Sequence, residues 1–153
     1  MKYRKFGSLD WNVSEVGLGC WQIGADWGNV TEDSAQEILK SSYENGVNFF
    51  DTADVYGMGR SEKFVGDFLK SVSDRIYVAT KAGRRINPHF ANGYYDKDLM
   101  ESFVDRSLSN LNIETIDQRY SKNWLLIDIL LNENEVLENV FRQICDDKRP
   151  TSY

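Results

Sequence analysis

Three residues of this sequence have the right types and spacing for proton transfer. Asp51 and Tyr56 lie five positions apart in VNFFDTADVYG (47–57), and Lys81 sits at the end of the apolar run IYVATK. An ionisable group that closes an apolar strand is costly unless it is paired. Asp51 and Lys81 carry opposite signs, so pairing them removes both costs. Tyr56, on the loop beyond Asp51, can reach the same place. A phenol titrates near pKa ~10, and it becomes a usable proton donor when an ammonium lies beside it. A structural alternative accounts for Asp51 and Lys81 equally well, namely a buried ion pair that ties two strand ends together. Tyr56 alone would serve as a loop anchor. The occurrence of all three on consecutive strand ends brings the chemical reading level with the structural one.

These groups can meet only if the surrounding segments bring them to one end of a sheet. YRKFG (3–7) and VSEVGLG (13–19) read as a small hairpin leading into a first buried strand, VGLGC. NVTEDSAQEILKSSYENG predicts a helix capped at Thr31, with acids in its first turn, Ala35, Ile38, Leu39 and Tyr43 at helical spacing, and Gly46 as terminator. VNFFDTAD is a strand apolar enough to be covered on both faces, and RIYVATKAG is another. Between them SEKFVGDFLKSV predicts a helix capped by Ser61. After a loop rich in Asn, Gly and Pro, DKDLMESFVDRSLSNLN is clearly amphipathic through Leu99, Phe103, Leu108 and Leu111, with Asp96 or Asp98 as its cap. IETIDQRY then offers a fourth strand. Alternation of buried strands and helices implies βαβ crossovers and a parallel sheet, an α/β fold. In such folds chemistry sits beyond the C-terminal strand ends, where Gly19, Cys20 and Trp21 join Asp51, Tyr56 and Lys81.

Composition narrows the field. The chain has 153 residues, 41% of them hydrophobic, enough for one core. Eighteen basic against 24 acidic residues give a net charge of −6 and no basic patch, which argues against nucleic acid or an anionic membrane as partner. No run reaches the ~20 apolar residues of a membrane span, and the N-terminus lacks a signal-peptide core. Cys20 and Cys145, with one histidine in the chain, suggest neither a disulfide framework nor a metal site. A cytoplasmic protein is the economical expectation.

GLGCWQIG, NFFDTADVYGMGRSEKFVG and YVATKAG resemble the N-terminal half of the aldo-keto reductases, with the likeness running from about Tyr3 to Asp117. The resemblance implies a (β/α)₈ TIM barrel whose floor is plugged by a short hairpin, here as a partial barrel of that hairpin and about four βα units. It implies hydride transfer between NADP(H) and a small carbonyl substrate, an aldehyde or ketone. By position, Tyr56 would be the general acid, Lys81 would tune it and Asp51 would pair with Lys81. Gly19, Cys20, Trp21 and Asp51 would contact the cofactor, and Trp21 and Tyr56 the substrate.

The family places a histidine at the end of its fourth strand, in a run resembling IDLxQLHxP. Here the run is IDQRYSKNW, with Lys122 near that position, and the sole histidine is His89 in the loop after Lys81. Two expectations follow for residues 118–153. They are either a divergent fourth strand and helix or a tail unrelated to the family, as a changed reading frame would produce. The abrupt loss of strand patterning favours the second, which divides the chain into 1–117 and 118–153. The family's phosphate site draws on strands seven and eight, so weak nucleotide binding is expected of a half barrel. An inactive remnant, or a binding module joining a partner or a second copy through bare sheet edges, is the alternative to an enzyme.

Overall fold

The structure, a computed structural model, describes residues 1–6, 11–24, 28, 30–82, 97–114, 116 and 118–121. Strands β1 (Tyr3–Lys5) and β2 (Asn12–Ser14) form the antiparallel hairpin, paired from Tyr3↔Ser14 to Lys5↔Asn12. Four parallel strands follow in the sequential order β3 (Leu18–Gly19), β4 (Phe49–Asp51), β5 (Tyr77–Ala82) and β6 (Gln118–Ser121). Helices α1 (Trp21–Gly24) and α2 (Glu32–Glu44) connect β3 to β4, α3 (Arg60–Leu69) connects β4 to β5, and α4 (Lys97–Leu111) connects β5 to β6. Crossovers of one hand between sequential neighbours place all their helices on one face. Accordingly α3 lies against both α2 and α4. This is the wall of a barrel laid open: among the described residues the sheet does not close.

Local signals account for most boundaries. At α2, Thr31 is the N-cap, its Oγ1 accepting from the Ser34 amide at 3.2 Å, and Gly46 ends the turn with φ +86°. Ala35 and Leu39 are fully buried as their spacing requires, whereas Ile38 falls to the side of the apolar stripe and is exposed. The start of α3 corrects the sequence reading. Its N-cap is Gly59, not Ser61, and no side chain caps it. Gly57, Met58 and Gly59 all have positive φ (58°, 56° and 92°), and this left-handed run sets the helix start one residue ahead of Ser61. In α4, Phe103 and Leu111 are buried as predicted, and Asp98 lies inside the first turn rather than capping it. Asp96 lies outside the described residues.

The core packs the sheet against this helical layer: Phe50 and Val78 meet Leu39, Val65, Phe68 and Leu111. The hairpin closes the N-terminal end of the sheet. Phe6 stacks on Phe49 with centroids 5.9 Å apart, and Trp11 on Tyr77 at 4.9 Å. Asn48, just before β4, stitches it down, accepting from the Ser14 amide at 2.7 Å and donating to the Asn12 carbonyl at 2.9 Å. With that end covered, the opposite end is left for chemistry.

The sequence allowed a fourth strand within IETIDQRY, and β6 forms there, pairing Ala79↔Gln118 through Ala82↔Ser121. Gln118, Arg119 and Ser121 thus occupy a parallel strand despite their polarity. His89, Lys122 and the segments WLLIDILL and NENEVLENVFRQIC lie outside the described residues.

Candidate active site

Parallel registry aligns the strand ends. Gly19 is opposite Asp51, and Asp51 opposite Ala79, two residues before Lys81. The ladder runs past the strand ends through Cys20 N–H to Asp51 O at 2.8 Å and Thr52 N–H to Ala79 O at 2.8 Å. Asp51 and Lys81 therefore approach from adjacent strands, and Lys81 Nζ donates to Asp51 Oδ1 at 2.5 Å and to the Thr52 carbonyl at 2.8 Å. The lysine side chain is 11% exposed and the aspartate 37%, so the cation is held inside while water reaches the anion.

Tyr56 comes in on the loop beyond β4 and is 7% exposed. Lys81 Nζ lies 5.1 Å from the centre of its ring, within the range of cation–π attraction. Trp21, 45% exposed, stacks on the other partner of this pair, its ring centroid 6.1 Å from that of Tyr56. The structure thus brings Asp51, Tyr56, Lys81 and Trp21 into one contiguous group. Gly19 borders open space, since a Cβ there would meet nothing within 4 Å.

Cys20 sits beneath this group and is fully buried. Its amide bonds Asp51 O, its carbonyl accepts from Ser61 Oγ at 2.7 Å, and its Sγ lies 3.7 Å from Leu18 O. Burial pushes the thiol from the usual 9.0 up to about 12; Asp51 adds to the rise, against the opposing effects of Lys81 and the Asp51 backbone. The unfolded thiol ionises first, so this contribution to stability is complete below pH 9.0 and is lost as the pH rises toward about 12. Iodoacetamide should accordingly leave Cys20 unlabelled in the native chain at neutral pH and label it in denaturant, read by peptide mass spectrometry.

The loop carrying Tyr56 is held by a close backbone crossing. Gly57, with φ +58°, lies so near Gly24 that an added Cβ would overlap the Gly24 carbonyl oxygen. A Cβ on Gly24 would come 2.7 Å from Tyr56 O and 2.5 Å from Ser61 Cβ. Gly57→Ala combines left-handed strain with overpacking, and should cost about 3 kcal/mol in denaturant unfolding.

Sequence reasoning identified the ionisable residues but missed the Thr52 carbonyl as a ligand of Lys81 and Ser61 as a fixed point behind them. The signal for Thr52 was its position one residue past Asp51, where the sheet ladder continues. Among the described residues no group of three or more His, Cys, Asp or Glu side chains is placed to hold a metal, and no helix is long and apolar enough to cross a membrane.

Comparison with known proteins shows the family. Residues 15–128 match the sequence model of the Aldo/keto reductase family. The oxidoreductase YqkF of Bacillus subtilis (strain 168) is 39% identical over 119 residues, which are 76% of this chain and 37% of that protein. The aldo-keto reductase yakc [NADP(+)] of Schizosaccharomyces pombe is 33% identical over 121 residues, 76% of this chain and 35% of that one. The chain therefore spans just over a third of the length of these relatives. Among solved structures, the holo form of an aldo-keto reductase from Bacillus halodurans superposes with a TM-score of 0.73 at 32% identity, covering 97% of this chain and 47% of its own. The family model matched over residues 15–128 and the relatives at 33–39% identity lead to one conclusion: this chain belongs to the aldo/keto reductase family.

Proposed function

We propose that this chain carries the proton-handling half of an NADP(H)-dependent reductase acting on an aldehyde or ketone, with Tyr56 as general acid. The observation that carries the reading is the Lys81 ammonium, fixed by Asp51 and the Thr52 carbonyl and lying 5.1 Å from the Tyr56 ring centre. A cation held there stabilises the negative charge left on the phenol oxygen once its proton has gone to the carbonyl oxygen. Asp51 and the Thr52 carbonyl hold the ammonium in place, so Lys81 acts as an electrostatic support rather than as the donor.

The residues at the mouth fit the nicotinamide end of the cofactor. Gly19 leaves open space and the exposed Trp21 offers an aromatic wall, so these two residues would hold a flat ring there. Asp51 has its water-facing side on the same mouth. Cys20, spent on internal bonds, would support that wall from below. None of these residues supplies a cation for the phosphates. When bound, NADPH supplies the hydride for the carbonyl carbon. A relative whose name specifies NADP(+) favours that cofactor over NADH.

The test is a titration of NADPH into the protein, followed by quenching of its four tryptophans, and then an assay of NADPH consumption across aldehydes and ketones. Weak but saturable quenching, reached at high micromolar NADPH, followed by carbonyl-dependent consumption is expected. No saturable signal at high micromolar cofactor would remove the reading for this chain.

A further inference from the structure

The residues that touch Asp51, Tyr56 and Lys81 from behind are as organised as the group itself. Neighbouring side chains on a strand point to opposite faces. Asp51 and Lys81 meet on one face; the threonine next to each, Thr52 and Thr80, meets α3 on the other. Both threonines are completely buried, as are Ser61 and Glu62 in the first turn of α3.

The hydrogen bonds form a directed set. Ser61 Oγ donates its single proton to the Cys20 carbonyl at 2.7 Å. The 2.8 Å contact between Thr52 Oγ1 and Ser61 Oγ must then have Thr52 as donor. The Ser61 amide also donates to the Tyr56 carbonyl at 3.2 Å. Glu62 Oε1 accepts from Thr80 Oγ1 at 2.7 Å, and its Oε2 accepts from Asn110 Nδ2 of α4 at 2.9 Å. One dipeptide thus holds the end of β3 ahead of Trp21, the end of β4 beside Asp51, the Tyr56 loop, and β5 beside Lys81. A fully buried carboxyl group is an expensive way to join two helices to a strand, and surface residues could do so at less cost. A requirement for fixed spacing among strand ends explains its presence.

We infer that Ser61 and Glu62 are positioning residues for the Asp51–Tyr56–Lys81 group, setting from the outer face of the sheet how the ammonium lies against the tyrosine. What the group does rests on the reductase reading; where it is held does not. Loss of either anchor lets one strand end move relative to the next, and displacements near 1 Å lower turnover by up to about 100-fold.

The experiment uses the intact chain labelled with ¹⁵N-lysine. The protons on Lys81 Nζ, hydrogen-bonded and shielded, are assigned by their absence in Lys81→Met, and their exchange with water is measured. Ser61→Ala and Glu62→Leu are expected to speed that exchange about tenfold or more through local opening. They should also lower kcat while KM for the carbonyl stays within about twofold, the signature of an interaction felt mainly in the transition state. Glu62→Gln, whose Oε1 can still accept from Asn110 Nδ2 while its Nε2 donates to the Thr80 hydroxyl oxygen, should restore both readouts. Should Glu62→Leu fail to fold, Ser61→Ala, which keeps its Cβ, carries the test. Val47→Ala, a core truncation at the opposite end of the sheet, should lower stability without moving the Lys81 exchange. Unchanged exchange in Ser61→Ala and Glu62→Leu, or an equal change in Val47→Ala, would overturn the inference. If the wild-type chain shows no turnover but its Lys81 exchange responds as described, the positioning role stands and the reductase reading falls.

Discussion

Asp51→Asn is expected to destabilise the fold more than Lys81→Met, although both substitutions break the same ion pair. The reason is the difference in exposure, 37% for the aspartate side chain and 11% for the lysine. Replacing the carboxylate by an amide leaves an enclosed ammonium with neutral partners in place of its counter-ion: the amide oxygen, the Thr52 carbonyl and the Tyr56 ring. Stranding a buried charge in this way costs about 3 kcal/mol or more. Removing the lysine leaves a carboxylate that water already reaches, and methionine fills the vacated volume without a charge. That loss is limited to hydrogen bonds and a partly screened attraction, about 1–2 kcal/mol. Urea unfolding of the two variants measures the difference directly. Equal losses, or a larger one for Lys81→Met, would mean that the pair is solvated more evenly than its geometry implies.

The second large effect concerns turnover rather than stability. Tyr56→Phe keeps the ring that stacks on Trp21 and faces Lys81, and removes only the hydroxyl. Folding should change by no more than about 1 kcal/mol. Affinity for NADPH should be unaltered, because the phenol is used on the carbonyl oxygen. The rate of carbonyl reduction should nevertheless fall by about 10² to 10⁴, the usual contribution of a positioned general acid. Stopped-flow measurement of NADPH consumption, alongside a tryptophan-quenching titration, separates binding from chemistry. Retention of turnover to within about twofold would remove Tyr56 from its role.

The sequence revealed the inner face of the site far better than the outer one. Asp51 and Lys81 were visible because a charge at the end of an apolar strand demands a partner, and the parallel order of strands supplied it. Thr31 was visible as a helix cap because its partner, the Ser34 amide, is three residues away. Ser61 carried the same local signature, a serine ahead of an acid and an apolar run, yet it does not cap its helix. Its partners are the Cys20 carbonyl, 41 positions away, and Thr52, 9 positions away. Glu62 is fully buried against every expectation for its type, because Thr80 and Asn110, 18 and 48 positions later, satisfy both carboxyl oxygens. Periodicity describes one element at a time; such long-range satisfaction depends on how elements meet. The turn at Gly57, Met58 and Gly59 was equally hidden, since glycine spacing does not reveal that its backbone must lie against Gly24.

Isotope transfer tests the central claim most directly. The intact chain is incubated with an aldehyde and NADPH deuterated on the transferred face of the nicotinamide, and the alcohol is analysed by mass spectrometry. Deuterium should appear on the former carbonyl carbon, one atom per NADPH consumed, and product formation should fall away in Tyr56→Phe. Product without deuterium, or deuterated product formed equally well by Tyr56→Phe, would contradict the account of an aldo-keto reductase site built on Asp51, Tyr56 and Lys81.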